Sequence, residues 1–100
     1  TIMVASQDLI AMEVYQNELT VYTQEATYLV KGQLNKMLER LDGRDFVQVS
    51  KSALLNINHL HTLEMGFSGN MVAILTHKIK LGVSRKYLPA LKQALGMGGI

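Results

Sequence analysis

The sequence predicts a mainly β domain with one inserted helix and one C-terminal helix. Three observations predict it. Apolar and polar residues alternate at period two in Leu19–Thr23 and again in Phe46–Val49, the pattern of a half-buried strand. Short apolar runs elsewhere are bounded by polar or glycine breaks. The period lengthens to that of a helix in only two places, Leu34–Leu41 and Tyr87–Leu95.

Taken in order, Ile2 to Ala5 is short and apolar and reads as an edge strand, followed by a polar break at Ser6-Gln7-Asp8. Leu9 to Tyr15 is rich in β-favouring side chains, Gln16-Asn17-Glu18 interrupts it, and Leu19 to Thr23 follows, so the two runs read as a hairpin. A second break at Gln24-Glu25-Ala26 leads to a strand over Thr27 to Lys31, which completes a meander. Leu34, Met37, Leu38 and Leu41 then fall on one helical face, which predicts a short helix near 33–41 with Gly43 as its left-handed C-cap.

Strand signals resume at Phe46-Val47-Gln48-Val49, break at Ser50-Lys51-Ser52, and continue through Ala53-Leu54-Leu55 into a loose alternation from Asn56 to Glu64. Gly66-Phe67-Ser68-Gly69-Asn70 is a turn, with glycines available for positive φ. Met71 to Thr76 and Lys78 to Val83 are two more strands. The segment from Ser84 to Leu95 is helical, with the helix placed near 86–95, Ser84 as its cap and the stripe Tyr87, Leu88, Leu91, Leu95. Pro89 lacks the N–H that a helix interior needs, so the first turn should be irregular and the regular helix should begin near Pro89. Gly96 should end it, leaving Gly98-Gly99-Ile100 as a frayed tail.

The length, 100 residues and 11.1 kDa, suits one domain. Hydrophobic residues at 48% and charged residues at 18% suit a packed core. With no cysteine there is no disulfide framework or thiolate chemistry, and no apolar run is long enough for a membrane-spanning helix. Thr1 lies inside a patterned segment, so residues 1–100 are expected to be one domain within a longer chain. The net charge of +2 is unevenly distributed. Residues 1–45 carry four cations against seven carboxylates, net −3, and residues 46–100 carry six cations against Glu64 alone, net +5. That division suggests a surface with one positive face.

Signs of catalysis are weak. Gly66-Phe67-Ser68-Gly69 lacks the spacing of a nucleophile elbow, and Gly96-Met97-Gly98-Gly99 has neither a strand before it nor a helix after it to cradle phosphate. Glu13, Glu18 and Glu25 show no pairing and read as solvated. His59 and His61 could supply two metal ligands from one strand, but a zinc site needs three or four, so they read as surface or boundary residues. No enzyme activity, cofactor or metal is expected. Met12, Met37 and Met71 occupy apolar positions as core filler, and Tyr15 and Tyr22 read as cross-strand packing before a base-stacking platform. Ser50-Lys51-Ser52 and Ser84-Arg85-Lys86 are more informative. Each places cations and hydroxyls at a break between apolar elements, where phosphate or a guanine edge could be met.

Four segments in order resemble the LytTR family of bacterial DNA-binding domains. They are Asp8-Leu9-Ile10-Ala11-Met12-Glu13, the helix Leu34 to Leu41, the stretch Phe46 to Ile57 that includes Ser50-Lys51-Ser52 and Asn56, and Val83-Ser84-Arg85-Lys86-Tyr87. The resemblance implies an elongated stack of three small antiparallel β-sheets with about ten short strands. It also implies a cytoplasmic, response-regulator-like output domain that binds duplex DNA at promoter direct repeats. Loops would read successive major grooves, the DNA would bend, and a homodimer on that DNA is compatible with the family. Carried over residue by residue, it assigns base contacts to Lys51, Arg85 and the turn residues Gln16 and Asn17, although this turn has no basic residue and Glu18 would repel phosphate. Ser50 stands where the family often has histidine. Phosphate contacts are assigned to Ser50, Ser52, Asn56, Ser84, Lys86 and Lys92. The competing function is a protein-interaction or homodimerisation module that uses an exposed sheet edge or the Phe67 turn.

Overall fold

The computed structural model describes residues 4–41 and 45–96. A single 3-10 turn at Ser6–Asp8 leads into β1 (Leu9–Tyr15), β2 (Glu18–Thr23) and β3 (Thr27–Lys31), the expected meander. Next come α1 (Leu34–Leu38), β4 (Phe46–Ser50), β5 (Ala53–Asn56), β6 (Leu60–Met65), β7 (Met71–Leu75), β8 (Lys80–Val83) and α2 (Leu88–Ala94). Further 3-10 turns lie at Ile57–His59, Phe67–Gly69, Thr76–Lys78 and Arg85–Tyr87.

Among the described residues the strands form two antiparallel sheets, one five-stranded in the order β3-β2-β1-β5-β4 and one three-stranded in the order β6-β7-β8. Where three sheets and roughly ten strands were expected, the described residues therefore hold two sheets and eight strands. One cause is a long-range pairing. β1 meets β5 through Ala11↔Leu55, Met12↔Leu54 and Glu13↔Ala53, which fuses the N-terminal meander and the β4–β5 hairpin into one sheet. The other cause is that the loose alternation after Asn56 begins with a 3-10 turn, as does the polar join at Thr76–Lys78.

The five-stranded sheet is the middle layer. One face sends Ile10, Ala11, Val49, Ala53 and Leu55 against Ala73, Leu75, Leu81 and Val83 of the small sheet and Leu91 of α2. The other face sends Leu9, Met12, Leu19, Val21, Phe46 and Leu54 towards Leu34 of α1, with Met37, Leu38 and Leu41 packed alongside. Leu54 and Leu55 are adjacent in sequence and both fully buried, on opposite faces. At about 2 kcal/mol for each buried leucine, such pairs hold the three layers together. Burial on both faces explains why β1 and β5 read as apolar runs without alternation.

The helices are shorter than the periodicity suggested. α1 covers five residues, and its last turn tightens to i→i+3 bonds, Arg40 N–H to Met37 O at 3.0 Å and Leu41 N–H to Leu38 O at 3.3 Å. The apolar stripe is nevertheless intact, because Leu41 still packs in the same cluster. At the C-terminus the irregular first turn expected from Pro89 is the 3-10 turn Arg85–Tyr87, and the α-helix begins at Leu88 with the proline in its first turn. Ser84 caps it with its backbone and not its hydroxyl: its carbonyl accepts from Tyr87 N–H at 3.0 Å and Leu88 N–H at 3.1 Å. Gly96, at φ +77°, ends the helix. Val4 and Ala5 carry no strand. The rest of the expected edge strand, the Gly43 cap and the 98–100 tail lie outside the described residues.

Two side-chain readings are also corrected. Tyr15 is 77% exposed and packs on no cross-strand partner of the core. Glu13 is not simply solvated: it is half-buried, and its Oε1 accepts a 2.6 Å bond from the Tyr22 hydroxyl. Burial, together with that bond and the negative charge behind it, pushes the Tyr22 phenol up to about 12.

Candidate nucleic-acid interface

Three turns far apart in the chain come to one end of the molecule. β1 and β5 run antiparallel, so the end of β1 lies beside the start of β5, where Val14 N–H donates to Ser52 O at 2.7 Å. That bond places the Gln16-Asn17 turn and the Ser50-Lys51-Ser52 turn at the same sheet end. Two strand spacings separate the centres of these two hairpins, about 10 Å. β8 then joins at the β4 edge, where Ser84 N–H donates to Val49 O at 2.9 Å. Arg85 and Lys86 follow directly, so the two basic segments singled out in the sequence are neighbours.

Each turn presents its side chains outward. Lys51 and Ser52 are exposed, and Ser52 N–H donates to Ser50 Oγ at 3.2 Å, which ties the turn to itself. Gln16 and Asn17 are exposed at φ +50° and +65°, left-handed at both central positions as a two-residue hairpin requires. Arg85 and Lys86 are exposed on their 3-10 turn, with the Lys86 ammonium 5.9 Å from the centre of the Tyr87 ring. Lys92 on α2 shares a surface groove with Arg85, Leu88, Pro89 and Gly69. A shallow recess between the Lys51 and Arg85 turns is lined by Ser50, Ser52, Asn70, Ser84 and Glu13.

Asn56 departs from its assignment as a phosphate contact. It is 2% exposed, its Nδ2 donates to Leu9 O at 3.0 Å, and its Oδ1 accepts from Asn58 N–H at 2.9 Å. With both ends of the amide engaged inside the protein, it has no atom to offer a phosphate. It is a structural tie between β5 and the start of β1.

Strand pairing adds residues that the sequence reading missed. The Gln16-Asn17 turn has no cation of its own, but Lys31 pairs opposite Glu18 across β2 and β3, and Gly32 N–H donates to Asn17 O at 3.1 Å. Asn17, Lys31, Gln33 and Lys36 line one groove. Two exposed lysines therefore stand beside the hairpin and offset the Glu18 charge. The meander register was the available signal, since a strand ending at Lys31 must return to the hairpin tip. The β6–β7 turn is the second addition. Gly69 lies so close to Arg85 that a Cβ there would sit 3.2 Å from the arginine Cδ and Nε.

The histidines lie elsewhere and have another role. His59 Nε2–H donates to Gln7 O at 2.7 Å, and its Nδ1 lies 2.9 Å from Thr76 Oγ1, which is also 3.3 Å from His61 Nε2. His77 Nε2–H donates to Gln24 O at 2.9 Å. These bonds tie the N-terminal turn and the β2–β3 turn to the small sheet. Among the described residues no three metal-ligating side chains converge, and no helix is long and apolar enough to cross a membrane.

The family model of the LytTr DNA-binding domain matches residues 1–96. The sensory transduction protein LytT of Enterococcus faecalis is 27% identical over 95 residues, which are 95% of this chain and 39% of that protein. The sensory transduction protein LytR of Staphylococcus epidermidis is 31% identical over 90 residues, 90% of this chain and 36% of that protein. The chain thus spans less than two fifths of the length of either relative. Among solved structures, a LytTr DNA-binding domain from Bacillus cereus superposes with a TM-score of 0.84 at 20% identity, covering 95% of this chain and 87% of that one, which shows a shared fold. The matched model covers the whole three-layer core and all the turns at the interface end, and the chain belongs to the LytTr DNA-binding domain family.

Proposed function

We propose that this domain binds duplex DNA sequence-specifically as the output domain of a longer, cytoplasmic bacterial transcriptional regulator. Lys51, Arg85, Gln16 and Asn17 contact base edges in successive major grooves, and the duplex bends to meet both ends of the row. Arginine fits a guanine edge, lysine its acceptors, and the Gln and Asn amides an adenine edge. Ser50, Ser52, Ser84, Lys86 and Lys92, joined by Lys31 and Lys36, hold phosphates and set the register without reading sequence.

The observation that carries this reading is the convergence of three turns through the Val14–Ser52 and Val49–Ser84 backbone bonds. It gathers cations from both halves of a chain whose net charge is only +2.

Fluorescence anisotropy on direct-repeat duplexes, measured over a salt series, tests it. With four lysines on phosphates the logarithm of the association constant should fall against log salt with a slope of about −3.6. Binding that ignores salt, or no binding in dilute salt, overturns the proposal. The rival function, homodimerisation, draws support from β3, an edge strand of the five-stranded sheet that carries Leu29 at 64% exposure. Self-association that persists after Lys51→Ala and Arg85→Ala, without DNA binding by the unmodified domain, would favour it.

A further inference from the structure

Phe67 is the most exposed of the large apolar side chains among the described residues, at 92%. It belongs to a well-ordered turn: Gly66 N–H donates to Asn70 O at 2.9 Å, Asn70 N–H donates to Phe67 O at 3.0 Å, and Ser68 and Gly69 are left-handed at φ +57° and +80°. The backbone of Phe67 thus holds the turn while its ring packs on nothing. A phenyl ring left in water forgoes one of the larger burial gains a side chain can make. The turn is also the one on which Arg85 rests, since a Cβ on Gly69 would meet the arginine Cδ and Nε at 3.2 Å. The ring and the guanidinium are therefore carried as one unit.

We propose that Phe67 is an apolar base contact that packs on the C5-methyl group of a thymine in the major groove entered by Arg85. The thymine methyl is the apolar feature that base edges present in that groove, and a ring held beside an arginine is placed to meet it. The turn around the ring supports a base edge over a second protein. Ser68, Gly69 and Asn70 are all exposed, so the ring and Met65, 81% exposed at the end of β6, are two bare apolar points on an otherwise polar turn. This inference rests on the DNA-binding reading and adds to it the identity of a specificity-determining side chain outside the basic segments.

The test uses a duplex selected by the domain from a randomised pool, with each thymine replaced in turn by deoxyuridine, which removes the methyl group alone. Anisotropy titrations are run with the unmodified domain, Phe67→Ala and Phe67→Leu. At one thymine the replacement should weaken the unmodified domain and Phe67→Leu by about fourfold, the value of one buried methyl group, and leave Phe67→Ala unaffected. Melting temperatures of the three proteins should coincide, because the ring packs on nothing in the fold. If the unmodified domain binds and no thymine shows this coupling to Phe67, the inference is overturned. If Phe67→Ala changes the sedimentation of the domain without DNA, the ring is a contact between copies and the inference is equally overturned. Failure of the unmodified domain to select any duplex overturns the DNA-binding reading itself, a separate result.

Discussion

Ser84 donates its backbone N–H to the carbonyl of Val49 at 2.9 Å, a bond that joins the end of β8 to β4 across 35 residues of chain. Val49 precedes the Ser50-Lys51-Ser52 turn, and Ser84 precedes Arg85 and Lys86. The bond therefore sets two basic turns side by side.

Truncation of either cation should show what it reads. Lys51→Ala and Arg85→Ala are each expected to cost about 1–3 kcal/mol of specific binding and to relax sequence preference at one position. Lys86→Ala, at a proposed phosphate contact, should weaken binding to all sequences alike and lower the salt slope by roughly one. Anisotropy on matched and mismatched duplexes at several salt concentrations separates these outcomes. Equal losses on both duplexes for Arg85→Ala would remove its base-reading role.

Gly69 combines a left-handed backbone with close contact to Arg85. Gly69→Ala is expected to destabilise the domain by about 1–2 kcal/mol, because an L side chain at φ +80° is strained. It should also reduce DNA affinity, because the new methyl group pushes the guanidinium arm from its seat. Urea denaturation gives the first quantity and anisotropy on the folded protein the second. Unchanged affinity would mean that the resting position of Arg85 does not matter to binding.

Asn56 sets up the opposite pattern. Asn56→Ala leaves the buried Leu9 carbonyl without its donor and the Asn58 N–H without its acceptor. The expected cost is about 2–4 kcal/mol of stability. Asn56→Asp should fare little better, since a carboxylate cannot donate to Leu9 O. Once stability is allowed for, DNA affinity should be unchanged in Asn56→Ala. A selective loss of affinity without destabilisation would restore Asn56 to the interface.

Tyr22 carries a pH dependence. Its phenol is pushed up to about 12 by burial and by the bond to Glu13, against an ordinary value of 10.0. The folded state therefore favours the protonated phenol. The stability linked to it is fully present below pH 10 and is lost as the pH rises through the window from 10 to about 12. Tyr22→Phe should cost about 1 kcal/mol at neutral pH, where Glu13 loses its donor, and the gap to the unmodified domain should close above pH 11. Denaturation curves across this range test the sign. The Cζ resonance of labelled Tyr22 tests the titration directly.

Much of the fold was legible in the sequence. β1 and β3 match the apolar runs Leu9–Tyr15 and Thr27–Lys31, and β4 matches the alternation from Phe46. The stop at Gly96 and the irregular turn before Pro89 also stood in the sequence, because proline and glycine act on the backbone locally. The three-sheet arrangement misled because periodicity reports which face of a strand is buried and is silent about which strand lies next to it. Asn56 misled for a related reason. A polar residue after an apolar strand reads as surface until its partner 47 residues away, the Leu9 carbonyl, is placed beside it.

By itself the sequence determined the elements, the uneven charge and the cations Lys51 and Arg85, because each is written in neighbouring residues or in an ordered set of short motifs. Only the tertiary structure decided that the Lys51 and Arg85 turns adjoin, that Lys31 and Lys36 stand beside Asn17, that Phe67 travels with Arg85, and that Asn56 lies inside. These depend on pairings between distant strands, which burial of both faces of the middle sheet selects together, and no local window of the chain contains them.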